Sequence, residues 1–112
     1  MDADVRQVSM ADVPLEFGRS TVLLDVREHD EWQRGHAAGA THIPMGEIPA
    51  RLHEIDSTAE LFVVCQAGGR SLRVAQYLQR NGFQPANVDG GMLAWVAAGR
   101  RVVTDDGGVG TI

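Results

Sequence analysis

A chain of 112 residues indicates one domain, able to bury roughly two-thirds of its unfolded surface around one core. Ten basic against fifteen acidic residues leave a net charge of −5, which argues against nucleic acid as a partner, because phosphate binding wants a basic face. No apolar run nears the ~20 residues of a membrane span, the start Met1-Asp-Ala-Asp4 is acidic where a secretory leader is basic, and one cysteine cannot form an internal disulfide. A cytoplasmic, reducing location and no membrane partner are therefore expected. Every basic residue is arginine, so no lysine is present to form a Schiff base.

The first twenty residues read as an extended piece around Val5 to Val8 and a helix beginning after Ser9, whose hydroxyl is placed to cap it. Pro14 limits that helix, since it fits only within a first turn. Thr21 to Val26 is an apolar run of strand type, Glu28 to Arg34 a short helix, and Gly35 its end. Gly39 to Pro44 should return as a brief strand stopped by Pro44. Residues 46–54 suggest a further helical segment with Ile48, Leu52 and Ile55 on one side, and Asp56-Ser-Thr a polar turn.

Leu61 to Val64 is a bounded run of β-favouring residues, as in a strand buried on both faces. It delivers Cys65 into the turn Gln66-Ala-Gly-Gly69-Arg70. From Ser71 the period changes to that of a helix, with Val74, Ala75 and Leu78 following it at i+3, i+4 and i+7. Asn81-Gly82 signals its end, Ala86 to Asp89 is a last core strand, and Gly90-Gly91 opens a helix carrying Met92, Leu93, Trp95 and Val96. Strands alternating with helical segments predict a parallel sheet with helices on both faces and a site beyond the strands' carboxyl ends, where Cys65 falls. Residues 1–104 are expected as a single domain and 105–112, rich in glycine, as a flexible tail.

The setting of Cys65 has chemical content. Free backbone N–H groups and the positive end of a helix dipole favour an anion at a helix N-terminus, and a thiolate is such an anion. Gly68 and Gly69 allow the backbone to curl and bring its N–H groups close to the sulfur, while Arg70 adds a permanent cation.

The loop Cys65-Gln-Ala-Gly-Gly-Arg70-Ser71 resembles the active-site loop of the rhodanese family of sulfurtransferases. Two further blocks agree with that resemblance. Leu23-Leu-Asp25-Val-Arg27-Glu, followed by Glu31-Trp32 and Gly35-His-Ala-Ala-Gly-Ala-Thr-His-Ile-Pro44, is similar to the family's N-terminal signature, and Asn87-Val-Asp-Gly90-Gly91-Met-Leu-Ala-Trp95 to its C-terminal one. The resemblance implies a rhodanese-like three-layer α/β/α fold around a central parallel sheet of about five strands. It further implies that Cys65 becomes a persulfide, that the N–H groups of Gln66, Ala67, Gly68, Gly69 and Arg70 hold the added sulfur, that the Arg70 side chain helps to hold an anionic donor, and that Asp25, Arg27 and Ser71 support the site.

Cysteine-dependent phosphatases share this architecture, but five residues separate their cysteine from their arginine; here four do, Gln66 to Gly69, and Val64 stands where many of them carry histidine. The shorter loop suits one sulfur better than a tetrahedral phosphate. Histidines at 29, 36, 42 and 53 include no i, i+4 pair, and with no second cysteine no metal site is expected; no cofactor is expected either. The expected partners are a small-molecule sulfur donor such as thiosulfate and a thiophilic acceptor, cyanide or a thiol. The alternatives left open are a persulfide carrier or sensor that hands sulfur to a partner protein and, more remotely, a phosphatase or arsenate reductase of related fold.

Overall fold

The computed structural model describes residues 4–112, so the acidic start at residues 1–3 lies outside the described residues. Five strands, β1 (Arg6–Val8), β2 (Thr21–Asp25), β3 (Thr41–His42), β4 (Glu60–Val64) and β5 (Pro85–Val88), form one sheet in the order β1-β5-β4-β2-β3. All its pairings are parallel. Parallel strands need crossovers, and the chain supplies them with α1 (His29–Arg34), α2 (Gly69–Arg80) and 3-10 turns, while α3 (Gly91–Ala97) follows the last strand.

The pleat of β4 explains the layering. Leu61 and Val63 face one core with Val74, Ala75 and Leu78 of α2 and with Ile48 and Ile55. Phe62 and Val64 face the other with Met92 and Trp95 of α3, Leu23 and Val88. Successive side chains of a strand point to opposite faces, so a strand apolar at every position is covered twice. Being the middle strand, β4 carries its C-terminal residue to the centre of the sheet's edge. Among the described residues, no helix is long and apolar enough to cross a membrane.

Three local expectations differ from what forms. The helix after Ser9 is only a 3-10 turn, Met10–Asp12, which ends before Pro14; the Ser9 hydroxyl donates to the Asp12 carboxylate and makes no cap. The segment at 46–54 is two 3-10 pieces, Met45–Glu47 and Pro49–Glu54, with a break at Arg51 (φ −120°, ψ 18°). Proline lacks the N–H that a continuous α-helix would need at position 49. Ile48 and Ile55 are nevertheless buried and Leu52 half-buried, on the side that their spacing predicts.

The third concerns the C-terminal residues. Residues 105–112 turn back on the domain: Val103 bridges both His36 and Val109, and the Thr111 N–H donates to the Arg34 carbonyl (2.8 Å). Gly35 and Gly110 meet where those chains touch, and a Cβ on Gly35 would stand 2.6 Å from the Thr111 nitrogen. The close approach, rather than a turn conformation, is what requires glycine there.

Candidate active site

Cys65 follows β4 directly, with Val64 and Cys65 both fully buried. The chain then crosses Gln66 and Ala67 to Gly68, the residue preceding α2, whose φ of +112° is open to glycine and strained for other residues. Ala67 and Gly69 are exposed, so the loop lies at the surface with the sulfur beneath it.

What points the loop's amides inward is the way its carbonyls are taken. The Met92 and Leu93 N–H groups of α3 donate to the carbonyls of Cys65 (2.8 Å) and Gln66 (3.1 Å). The Gly68 carbonyl accepts from the Leu72 N–H (3.2 Å), and the Ser71 hydroxyl and the Asn87 side-chain amide each lie 3.2 Å from it. With its oxygens bound to helices and to β5, the loop leaves N–H groups for the sulfur. The Gly68 N–H donates to Sγ at 3.1 Å, and the Ser71 Oγ stands 3.3 Å from it.

A hydroxyl has one proton, and Ser71 has two places to put it. With a neutral thiol it can donate to the Gly68 carbonyl and accept from S–H; with a thiolate it donates to Sγ. Burial pushes the thiol's pKa up, but the Ser71 hydroxyl and the backbone N–H groups of Ser71, Gly68 and Ala67 outweigh it, and the net direction is down. The arrangement favours an ionised sulfur in an apolar surround.

Asp25 and Arg27 reach this loop through register. Asp25 lies opposite Val64, and the Val26 N–H donates to the Val64 carbonyl, so the turn after β2 runs alongside Cys65. Arg27 is fully buried and donates through Nε and Nη2 to the Asp25 carboxylate (2.8–3.1 Å), through Nη2 to the Gly35 carbonyl (2.8 Å), and through Nη1 to the Gln66 side chain (3.3 Å). His42 donates from Nε2 to the Arg27 carbonyl (2.7 Å), and Trp32 stacks with both His36 and His42, with centroids 3.5 and 4.7 Å away. Two histidines thus brace the wall of the site.

Arg70 is placed differently from the free cation that the sequence suggests. Its Nη1 and Nη2 donate to the two oxygens of Glu31 on α1, at 2.7 and 2.9 Å. That pairing holds the Glu31 carboxyl down at about 2 and pushes the Arg70 pKa up. Reasoning from sequence gave Glu31 no function, and only its three-residue offset from Glu28, the spacing of a capping box, marks it locally. The sequence puts Asn87 in the last core strand and Gly91 at a helix entry, but nothing local to either says that it meets the cysteine loop. A Cβ on Gly91, at φ +58°, would come within 2.7 Å of the Gln66 carbonyl carbon, so glycine is required where α3 presses on the loop.

The chain is similar to several known proteins. The sequence pattern of the rhodanese-like domain family matches residues 10–98. YtwF of Bacillus subtilis (strain 168), whose name marks it as a candidate sulfurtransferase, is 37% identical over 94 residues, which span 82% of this chain and 91% of that protein. YrkF of the same organism, whose name marks it as a candidate sulfur carrier, is 38% identical over 82 residues, 72% of this chain and 44% of that protein. A rhodanese-related protein of Thermoplasma volcanium has the same fold, with a TM-score of 0.81 at 29% identity over 89% of this chain and 99% of that one.

Proposed function

The chain belongs to the rhodanese-like domain family, whose members include sulfurtransferases and sulfur carriers, and from that premise we propose that it moves a sulfane sulfur through a persulfide on Cys65. The Cys65 thiolate attacks the sulfane sulfur of a donor, for which thiosulfate is the simplest case. A sulfur–sulfur bond forms to Cys65, the donor's own breaks, and sulfite leaves with the electron pair. The terminal sulfur carries the negative charge, and the N–H groups of Gln66 to Arg70 are the groups that hold it. A thiophilic acceptor, cyanide or a thiol, then removes that sulfur and returns the thiolate.

The observation that carries this reading is the 3.1 Å contact from the Gly68 N–H to the sulfur of the chain's one cysteine. Asp25, Arg27 and Ser71 act as supports of the loop rather than as reactants. The chemistry needs no cofactor, and it suits a reducing, cytoplasmic setting in which the thiol stays free. Its partners are the donor and the acceptor, with no nucleic acid and no membrane.

The test is the mass of the Cys65 peptide after incubation with thiosulfate or another sulfane donor. A gain of one sulfur atom, absent in Cys65→Ser, supports the reading, and no gain with any sulfane donor contradicts it. A carrier that passes sulfur to a protein is the second reading. It is favoured by the name of YrkF, which marks that protein as a candidate sulfur carrier. Steady-state kinetics separate the two, because a carrier loads once and stalls without its acceptor protein.

A further inference from the structure

Both guanidinium groups beside the cysteine loop already have a carboxylate of their own. Arg27 is bidentate with Asp25, and Arg70 is bidentate with Glu31. Glu31 is unusually well held, because its Oε1 also accepts the Glu28 N–H at 2.9 Å and its side chain is only 16% exposed. Three donors fix that carboxylate, and it in turn fixes Arg70. The attraction left for an anion comes from the main-chain amides and the N-terminus of α2, partial charges suited to one negative sulfur. Beyond the loop, an incoming anion meets a chain of net charge −5.

We propose that Glu31 sets the charge class of the donor by cancelling Arg70, so that the loop takes singly charged sulfane donors, thiosulfonates and hydropersulfides, in preference to doubly charged thiosulfate; this rests on the sulfur-transfer reading above. For a thiosulfonate, Cys65–S⁻ attacks the terminal sulfur of R–SO2–S⁻. The new S–S bond forms, the S–SO2 bond breaks, and the sulfinate R–SO2⁻ departs with the electron pair, leaving Cys65–S–S⁻. Two negative charges enter and two leave. Glu31 touches neither donor nor sulfur in this account; it is a positioning residue that works through Arg70.

Thiosulfate and methanethiosulfonate are suitable probes, since they differ by a methyl group in place of one anionic oxygen. Glu31→Gln removes the compensating charge but keeps an oxygen for Arg70. The ratio of kcat/KM for thiosulfate to that for methanethiosulfonate should rise on the order of tenfold in this variant, carried mainly by KM, because the dianion gains twice what the monoanion gains. An unchanged ratio, or equal gains for both donors, overturns the proposal.

The unaltered protein supplies a second measurement that does not depend on the variant folding. Raising salt from about 10 mM to about 150 mM screens repulsion, so KM for thiosulfate should fall relative to KM for methanethiosulfonate. A relative rise, or no change, overturns the proposal. If Cys65 loads from both donors and the ratio is indifferent to Glu31, the charge rule fails and sulfur transfer stands. If it loads from neither, both fail.

Discussion

Gly91 of α3 lies against the backbone of the Cys65-Gln66 peptide, so closely that a Cβ would stand 2.7 Å from the Gln66 carbonyl oxygen. The contact is the reason the Met92 and Leu93 N–H groups reach the carbonyls of Cys65 and Gln66 and turn the loop's own amides toward the sulfur. Gly91→Ala should therefore damage the site and the fold together. It places a side chain at φ +58° and forces the loop off α3. A loss of stability on the order of 2–4 kcal/mol is expected, with sulfur loading of Cys65 reduced even where the variant is folded. Thermal unfolding and the mass of the Cys65 peptide read the two effects, and normal loading in a folded Gly91→Ala protein would contradict this account.

The Asp25–Arg27 pair has no exposed side-chain surface. Asp25→Ala leaves a buried guanidinium without its carboxylate, which should cost about 3–5 kcal/mol. Denaturant unfolding checks it. A cost below about 1 kcal/mol would mean that the Gly35 carbonyl and the Gln66 side chain satisfy Arg27 by themselves.

Much of this arrangement is legible in the sequence, and the remainder fails for a physical reason. The apolar run at 61–64, the glycine turn and the i, i+3, i+4, i+7 stripe from Ser71 are local patterns, and the strand, loop and α2 stand where those patterns put them. The order of strands in the sheet, the partner of Arg70 and the closeness of Gly91 to Gln66 are relations between residues far apart in the chain. Glu31 and Arg70 are 39 residues apart, and nothing local to either says that they meet. The 3-10 pieces at 45–54 fail for a different reason. Their apolar spacing suits a helix of either kind, and Pro49 decides between them.

Ser71→Ala removes the hydroxyl that stands 3.3 Å from Sγ and helps to lower the thiol pKa. At neutral pH the rate of persulfide formation should fall on the order of tenfold, the worth of one hydrogen bond to a charged group. The rate should recover as pH rises, because more of the thiol ionises. A uniform loss at every pH would show that Ser71 acts on the loop's shape instead.

The Glu31–Arg70 pair makes stability depend on acid. The hydrogen bonds from Arg70 hold the folded Glu31 carboxyl at about 2, below its ordinary 4.5. A depressed carboxyl stabilises the fold fully above pH about 4.5, and that contribution is lost as pH falls toward about 2. Glu31→Gln should accordingly flatten the acid limb of a plot of melting temperature against pH over that interval. An acid limb as steep as in the unaltered protein would mean that the pair contributes nothing to folding.

The claim that everything else serves is that main-chain amides hold the extra sulfur on Cys65. It is tested most directly by recording the amide resonances of residues 66–71 before and after a sulfur donor loads the protein. The account predicts that the N–H groups of the loop shift markedly, that of Gly68 among them, while those of β2 and the body of α2 stay in place. Sulfur covalently gained at Cys65 with the loop amides unmoved would contradict it.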